Sequence, residues 1–227
     1  MKKSSILILI IICLVGCKKG SNETTITGEI KGLGTDTLYL YGMDELYDRI
    51  DTIYVENDKF SYTTSVDTIT SAYLLLKNRI EYPVFLDKGN KIKIKGDTIN
   101  LNFLTISGNI YNEEFTDFQK VLEDPADPSE KASEETVDKR ITVEKANTAE
   151  EMAEEFILQH HSSYVSLYLL DKYFVQKETP DFSKIKKLVE VMTGVLQDKP
   201  YIERLNETIT QAEKSEIGKY APFFSLP

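Results

Sequence analysis

Residues 82–95 read Tyr82-Pro83-Val84-Phe85-Leu86, then Asp87-Lys88-Gly89-Asn90, then Lys91-Ile92-Lys93-Ile94-Lys95. Two short runs rich in aromatic and β-branched residues flank four turn-forming residues, a pattern that predicts a hairpin. In the second run lysine alternates with isoleucine, so one strand face is buried and the other wet. The same grammar extends outward. Upstream, Asp51 to Val55 and Phe60 to Val66 flank Glu56-Asn57-Asp58-Lys59, another hairpin turn. Ile26 to Ile30, Thr37 to Tyr41 and Ala72 to Lys77 supply further strands, and Leu101 to Ser107 closes the set. Seven of the eleven glycines fall between Gly28 and Gly108. Eight short strands predict an antiparallel β-sandwich or half-open barrel over residues 24–110.

From residue 111 to 217 the grammar is helical, which makes the expected fold class α+β. Tyr111, Phe115, Phe118 and Leu122 recur at helical spacing. An acidic stretch broken by Pro125 and Pro128 follows. Met152, Phe156 and Ile157 share a face, and Ser162 or Ser163 can cap a helix running from Tyr164 to Phe174. Pro180 or Asp181 opens another, whose apolar row is Phe182, Ile185, Val189, Met192 and Leu196. Pro200 is expected to break that row before Ile202, Leu205, Ile209 and Ala212 resume it. The two helices so divided read as an antiparallel hairpin.

The N-terminus carries an address. Lys2 and Lys3 precede an apolar run from Ile6 to Val15, ten residues long. Spanning a bilayer takes about 20 apolar residues, so this run has the length of an export-signal core. It ends in Leu14-Val15-Gly16-Cys17, which resembles the bacterial lipobox. That resemblance implies cleavage after Gly16 and attachment of acyl chains, palmitate among them, to Cys17. Residues 1–16 are then a signal peptide and 17–23 a tether. Lys18 rather than Asp follows the cysteine, and Lys18-Lys19-Gly20-Ser21-Asn22 has no acidic cluster. By the sorting pattern of Gram-negative lipoproteins, both features imply an outer-membrane anchor facing the periplasm. Processing removes Cys13 and lipid consumes Cys17, so the mature chain is expected to hold no free thiol.

Composition narrows the function further. The 227 residues carry 27 basic and 37 acidic side chains, a formal charge of −10, with 41% hydrophobic residues. That apolar share builds a core and excludes wholesale disorder. The acidity argues against a nucleic-acid partner. Two cysteines cannot form a four-cysteine zinc site, and no phosphate loop, HExxH or GxSxG motif is present. No cofactor is expected.

The strand half resembles a domain of unknown function that heads thioredoxin-like lipoproteins. The residues that carry the likeness are Gly28-Glu29-Ile30, Ile50-Asp51-Thr52, Lys59-Phe60-Ser61-Tyr62 and the block Ile106-Ser107-Gly108-Asn109-Ile110-Tyr111-Asn112-Glu113. Asp58-Lys59-Phe60 departs from the pattern by lacking a glycine before the aromatic. Residues 218–227, Gly218-Lys219-Tyr220-Ala221-Pro222-Phe223-Phe224-Ser225-Leu226-Pro227, look like the first strand of an alkyl-hydroperoxide-reductase or thiol-disulfide-oxidoreductase domain. In that family a Trp-Cys-x-x-Cys motif follows, and none occurs in this sequence. The resemblance therefore implies a non-catalytic accessory module, with no catalytic residue to carry over. Its partners would be the membrane, through the lipid, and a thioredoxin-like or other envelope protein. A truncated oxidoreductase and a periplasmic ligand-binding module are the alternatives.

Other constellations read as structural. His160-His161 point about 100° apart on a helix, which suits a helix end better than a metal. The pairs Glu113-Glu114, Glu134-Glu135, Glu150-Glu151 and Glu154-Glu155 read as solvated faces. The Asp-Thr-aliphatic triplets at Thr37, Thr52, Thr68 and Thr98 resemble an O-glycan acceptor of some Gram-negative anaerobes, with turn capping by Asp as the plainer reading.

Overall fold

A computed structural model describes residues 22–43, 46–123 and 148–215. Residues 1–16 of the expected export leader, Cys17, the acidic stretch after Glu123 and residues 218–227 lie outside the described residues. Eight strands come first: β1 (Glu23–Lys31), β2 (Asp36–Gly42), β3 (Ile50–Val55), β4 (Lys59–Ser65), β5 (Thr70–Leu75), β6 (Glu81–Leu86), β7 (Lys91–Asp97) and β8 (Thr105–Ser107). Five α-helices follow: α1 (Ile110–Glu123), α2 (Ala149–Gln159), α3 (Tyr164–Leu170), α4 (Phe182–Val191) and α5 (Pro200–Ser215). The α+β class expected from the sequence is the class observed.

The strands form two four-stranded sheets, ordered β4-β1-β7-β8 and β3-β2-β5-β6. Alternation turns Ile26, Ile30, Ile92, Ile94 and Ile106 of the first sheet inward. Leu38, Leu40, Ile53, Val55, Ala72, Leu74, Val84 and Leu86 do the same in the second. Gly28 lies opposite Phe60 in the β1–β4 pairing, and a Cβ there would collide with the Phe60 ring. Its smallness lets the aromatic lie flat across β1.

Three expectations are corrected. The turn Asp87–Asn90 does not close a hairpin. It carries the chain from one sheet to the other, and β7 then pairs with β1 in parallel. The antiparallel expectation therefore fails at that one pairing. β6 cannot return onto β7 because its own free edge is occupied by a helix. The Leu101–Ser107 strand shrinks to β8, since the carbonyls of Asp97 and Asn100 accept turn hydrogen bonds from the N–H groups of Asn100 and Phe103, both at 3.2 Å. Finally, Pro200 starts α5 rather than breaking a helix, a position where its missing N–H has no consequence. The preceding helix has already ended at Val191, and Thr193 N–H turns away to the His161 carbonyl at 2.9 Å. Met192 and Leu196 are buried all the same, from outside the helix.

Between the two sheets α1 acts as a wedge. β6 and β8 are edge strands, one in each sheet, and both turn their free backbone groups toward this helix. Asn112, 1% exposed, accepts from Phe85 N–H at 3.0 Å and donates to the Phe85 carbonyl at 2.8 Å. One turn on, Thr116 Oγ1 accepts from Ile106 N–H at 2.9 Å and donates to its carbonyl at 3.0 Å. Each side chain thus imitates a neighbouring strand at an otherwise open edge. Pro83, two residues before Phe85, has no N–H to leave unpaired there. Asn109 sets the helix start: its Oδ1 accepts from Asn112 N–H at 3.0 Å, and its Nδ2 donates to the Phe85 carbonyl at 2.8 Å. Gly108 supplies the bend before it, at φ +115° and packed on the Lys91 carbonyl, where a Cβ would clash.

Asn112→Ala leaves the buried Phe85 N–H without a partner, while the Phe85 carbonyl keeps its bond from Asn109. The expected loss is about 1 to 3 kcal/mol, the cost of one buried unsatisfied group. Urea unfolding of the variant checks it, and an unchanged midpoint would contradict the wedge.

Candidate functional site

The helices cover the outer face of β5 and β6, and a cavity of about 220 Å³ remains where they meet it. Tyr73 comes from β5, Tyr168 and Asp171 from the end of α3, Gln176 from the turn beyond, and Tyr201 from α5. Local structure explains the grouping. Every residue of α3 is buried, so this helix is enclosed on all sides. Its continuation, Asp171–Val175, widens into a π-helical turn. Such turns shift side chains out of register with the preceding helix and recur at functional positions.

The geometry is that of a phenol-lined corner. The Tyr73 and Tyr168 rings lie 6.3 Å apart at 64°, and Tyr41 stacks obliquely on Tyr73 at 5.7 Å. Asp171 accepts from Tyr201 Oη at 2.5 Å and from Gln176 Nε2 at 2.6 Å. On the far side of the Tyr168 ring, Lys172 Nζ donates to Tyr168 Oη at 3.1 Å. A second cavity of about 200 Å³ opens there, bounded in part by Pro83, Phe115, Lys172 and Tyr173. Burial pushes the Tyr73, Tyr168 and Tyr201 hydroxyls far above the ordinary phenol range, and Asp171 adds to each. Burial also lowers the Lys172 ammonium. The phenols are therefore neutral at physiological pH. They can donate and accept hydrogen bonds and offer ring faces, chemistry that suits holding a small molecule.

A second polar cluster forms around Tyr47 and Arg49, beside Gly42 and Met43, which also line the tyrosine cavity. Tyr47 donates to Asp51, and Arg49 reaches Asp51 at 3.1 Å and the Ser65 carbonyl at 3.1 Å. Burial, then the bond to Asp51, pushes the Tyr47 hydroxyl up to about 12. Burial works to raise the Asp51 carboxyl, but hydrogen bonds from Tyr47, Tyr62 and Arg49 outweigh it and hold the group below its usual value.

The residues singled out from the sequence take ordinary places. His160 caps the C-terminus of α2, with its ring stacked 4.0 Å from Phe156 and its Nδ1 3.0 Å from the Phe156 carbonyl. Glu113 accepts from Gly108 N–H at 3.3 Å, and Glu114 from Ser163 Oγ at 2.5 Å. Glu151 completes a capping box with Thr148. Glu150 pairs with Lys177 and Lys184, and Glu154 with Lys184. Glu134-Glu135 lie outside the described residues. Thr52 and Thr68 are exposed, whereas Thr37 and Thr98 are half-buried, and the four do not converge. Asp36 accepts from Thr37 N–H at 2.8 Å and Asp97 from Ile99 N–H at 2.9 Å, the capping role of an Asp-Thr step. Sequence reading missed the tyrosine cavity, because Tyr73, Tyr168 and Tyr201 lie far apart in the chain and form no motif. The one trace was the segment Tyr164–Leu170, apolar but for Ser166.

These features define an α+β protein whose two-sheet domain is closed by a helical wedge and roofed by further helices. Residues 24–115 match the model of a domain of unknown function, DUF4369. The matched segment runs through all eight strands and into α1 as far as Phe115, so it includes Gly108, Asn109 and Asn112. No curated protein and no solved structure gives a significant match.

Two pH-dependent outcomes follow. Tyr73, Tyr168 and Tyr201 will remain un-ionised until alkaline unfolding, so part of the phenolate absorbance will rise together with loss of the far-ultraviolet circular dichroism. On the acid side, the Asp51 contribution is fully present above the unfolded value near 3.8 and fades as pH falls through the lower folded value. Asp51→Asn will therefore be less stable than the parent at neutral pH. The difference will shrink below about pH 3.8, as read by thermal melts across pH.

Proposed function

We propose that this chain is a bacterial envelope lipoprotein, held by acyl chains on Cys17 and serving as a non-catalytic module for docking or presenting substrate to thioredoxin-like enzymes. The observation that carries the anchor is the sequence Leu14-Val15-Gly16-Cys17 behind Lys2, Lys3 and a ten-residue apolar run. Each buried methylene of an acyl chain adds roughly 0.8 kcal/mol, so several chains hold firmly without a membrane span. Among the described residues no helix is long and apolar enough to cross a membrane. The link to thioredoxin-like enzymes rests on the likeness of Gly218 to Pro227 to their first strand. The outer membrane, facing the periplasm, is the proposed location, from Lys18 and the lack of acids after Cys17.

A second reading, a small-ligand module, is favoured by the tyrosine cavity. Its volume of about 220 Å³ lies below the roughly 300–1,000 Å³ of drug-sized sites, so it suits a small ligand.

Intact mass of the protein extracted from a bacterial envelope tests the anchor. The expected product starts at Cys17 and carries diacylglycerol and acyl mass, and Cys17→Ala will retain the leader and lose the lipid. An unmodified Cys17 in exported protein refutes the proposal. In an insulin-reduction assay the mature chain is expected to show no turnover by itself.

A further inference from the structure

The parallel pairing of β1 with β7 has a consequence for orientation. It places Lys91, Lys93 and Lys95 beside Thr25, Thr27 and Glu29 on the outer face of the first sheet. All three lysines are exposed, and they make no ion pair among the described residues. Alternate residues of a strand stand about 7 Å apart, so the row spans roughly 13 Å. Around it lies a flat hydroxyl surface: Thr25 and Thr27 on β1, Ser61 and Thr63 on β4, Thr105 and Ser107 on β8. The acids of this face sit at its margins or are matched. Glu29 is 3.9 Å from Lys59, Asp97 lies opposite Lys31, and Glu23 stands at the start of β1. An open cationic row is unusual on a chain of formal charge −10.

Because β1 and β7 run the same way, the row begins at the end of the sheet where the chain enters. Lys91 lies opposite Thr25, three residues after Asn22. On the lipoprotein reading above, Cys17 and Asn22 are five residues apart, a span of less than about 20 Å even when extended. Lys18 and Lys19 fall within it. An antiparallel β7 would have carried Lys91 to the distant end of β1.

We propose that this face of the first sheet lies against an anionic phospholipid surface, with Lys91, Lys93 and Lys95 facing the phosphate headgroups, so that the anchored protein has one fixed orientation and turns its acidic helices away. The inference rests on the lipid anchor for proximity. The lysine row supplies the charge complementarity, since a basic side chain near such a surface gains about fivefold in binding.

The test couples the chain from Cys17 to Pro227 through its Cys17 thiol to a maleimide lipid, in vesicles of phosphatidylcholine alone or with 30% phosphatidylglycerol (about one anionic lipid in three). Lysine acylation read by mass spectrometry is expected to show Lys91, Lys93 and Lys95 protected several-fold on the anionic vesicles only. Lys187 and Lys214 should be unchanged, and 0.5 M salt (roughly 4 Å screening) should abolish the protection. For the uncoupled chain, Lys91→Glu, Lys93→Glu and Lys95→Glu together are expected to lower partition onto anionic vesicles about a hundredfold. The same reversal at Lys120, Lys187 and Lys214 will lower it far less. Equal protection on both vesicles, equal loss in both triple variants, or binding to soluble polygalacturonate without vesicle preference would overturn the proposal. Chemical coupling makes these outcomes independent of natural lipidation, which the intact-mass measurement decides separately. Circular dichroism of each triple variant is expected to match the parent, because these side chains point outward.

Discussion

Two amide-and-hydroxyl pairings hold this architecture in its observed form: Asn112 on Phe85 and Thr116 on Ile106. A sandwich of separate sheets has open edges whose peptide groups must find partners or water. Here the partners are side chains one helical turn apart on α1, and each serves both the N–H and the carbonyl of a single edge residue. The aromatic residues beside them fill the remaining space. Phe115 meets Tyr82 at 5.7 Å, Phe85 at 6.4 Å and Tyr168 at 5.2 Å, which links both the wedge and the roof of helices to β6. The family match ends at Phe115, just past the first of these contacts in the chain.

The roof depends on that wedge. With α1 in place, β6 is covered on both faces, which is why Tyr82 to Leu86 is buried without alternation. α3 then packs against α1 and β5 with no face left to water, and the π turn at its end delivers Asp171, Lys172 and Tyr173 to the two cavities flanking Tyr168. Buried Lys199, over the Tyr164 ring at 4.7 Å and donating to the Ile69 carbonyl at 3.2 Å, fastens α5 to the strand domain. The cavity is thus a product of three layers meeting.

Much of the local structure was legible. Short β-branched and aromatic runs between turn residues located all eight strands, and the turn Glu56–Lys59 is present with Asn57 and Asp58 at φ 52° and 68°, as such a turn requires. Ser163 and Asp181 cap the helices they were expected to cap. His160 ends a helix, as its position suggested. Legibility failed where an apolar or polar pattern had more than one physical solution. The row ending in Met192 and Leu196 is buried whether or not the backbone stays helical. Asn112 and Thr116 are polar residues within a helical apolar pattern, and a sequence does not reveal an open sheet edge waiting for them.

From the sequence alone came the strands, the helices and the order in which they occur, set by short-range periodicity and local chemistry, together with the resemblance of residues 14–17 to a lipobox. Tertiary structure alone decided which strands pair and in what direction. The turn Asp87–Asn90 has the same local form whether it closes a hairpin or crosses between sheets. Competition for the edge of β6, won by α1, chose the crossing. That choice set β7 parallel to β1, placed the lysine row at the chain's entry, and brought distant tyrosines around one cavity.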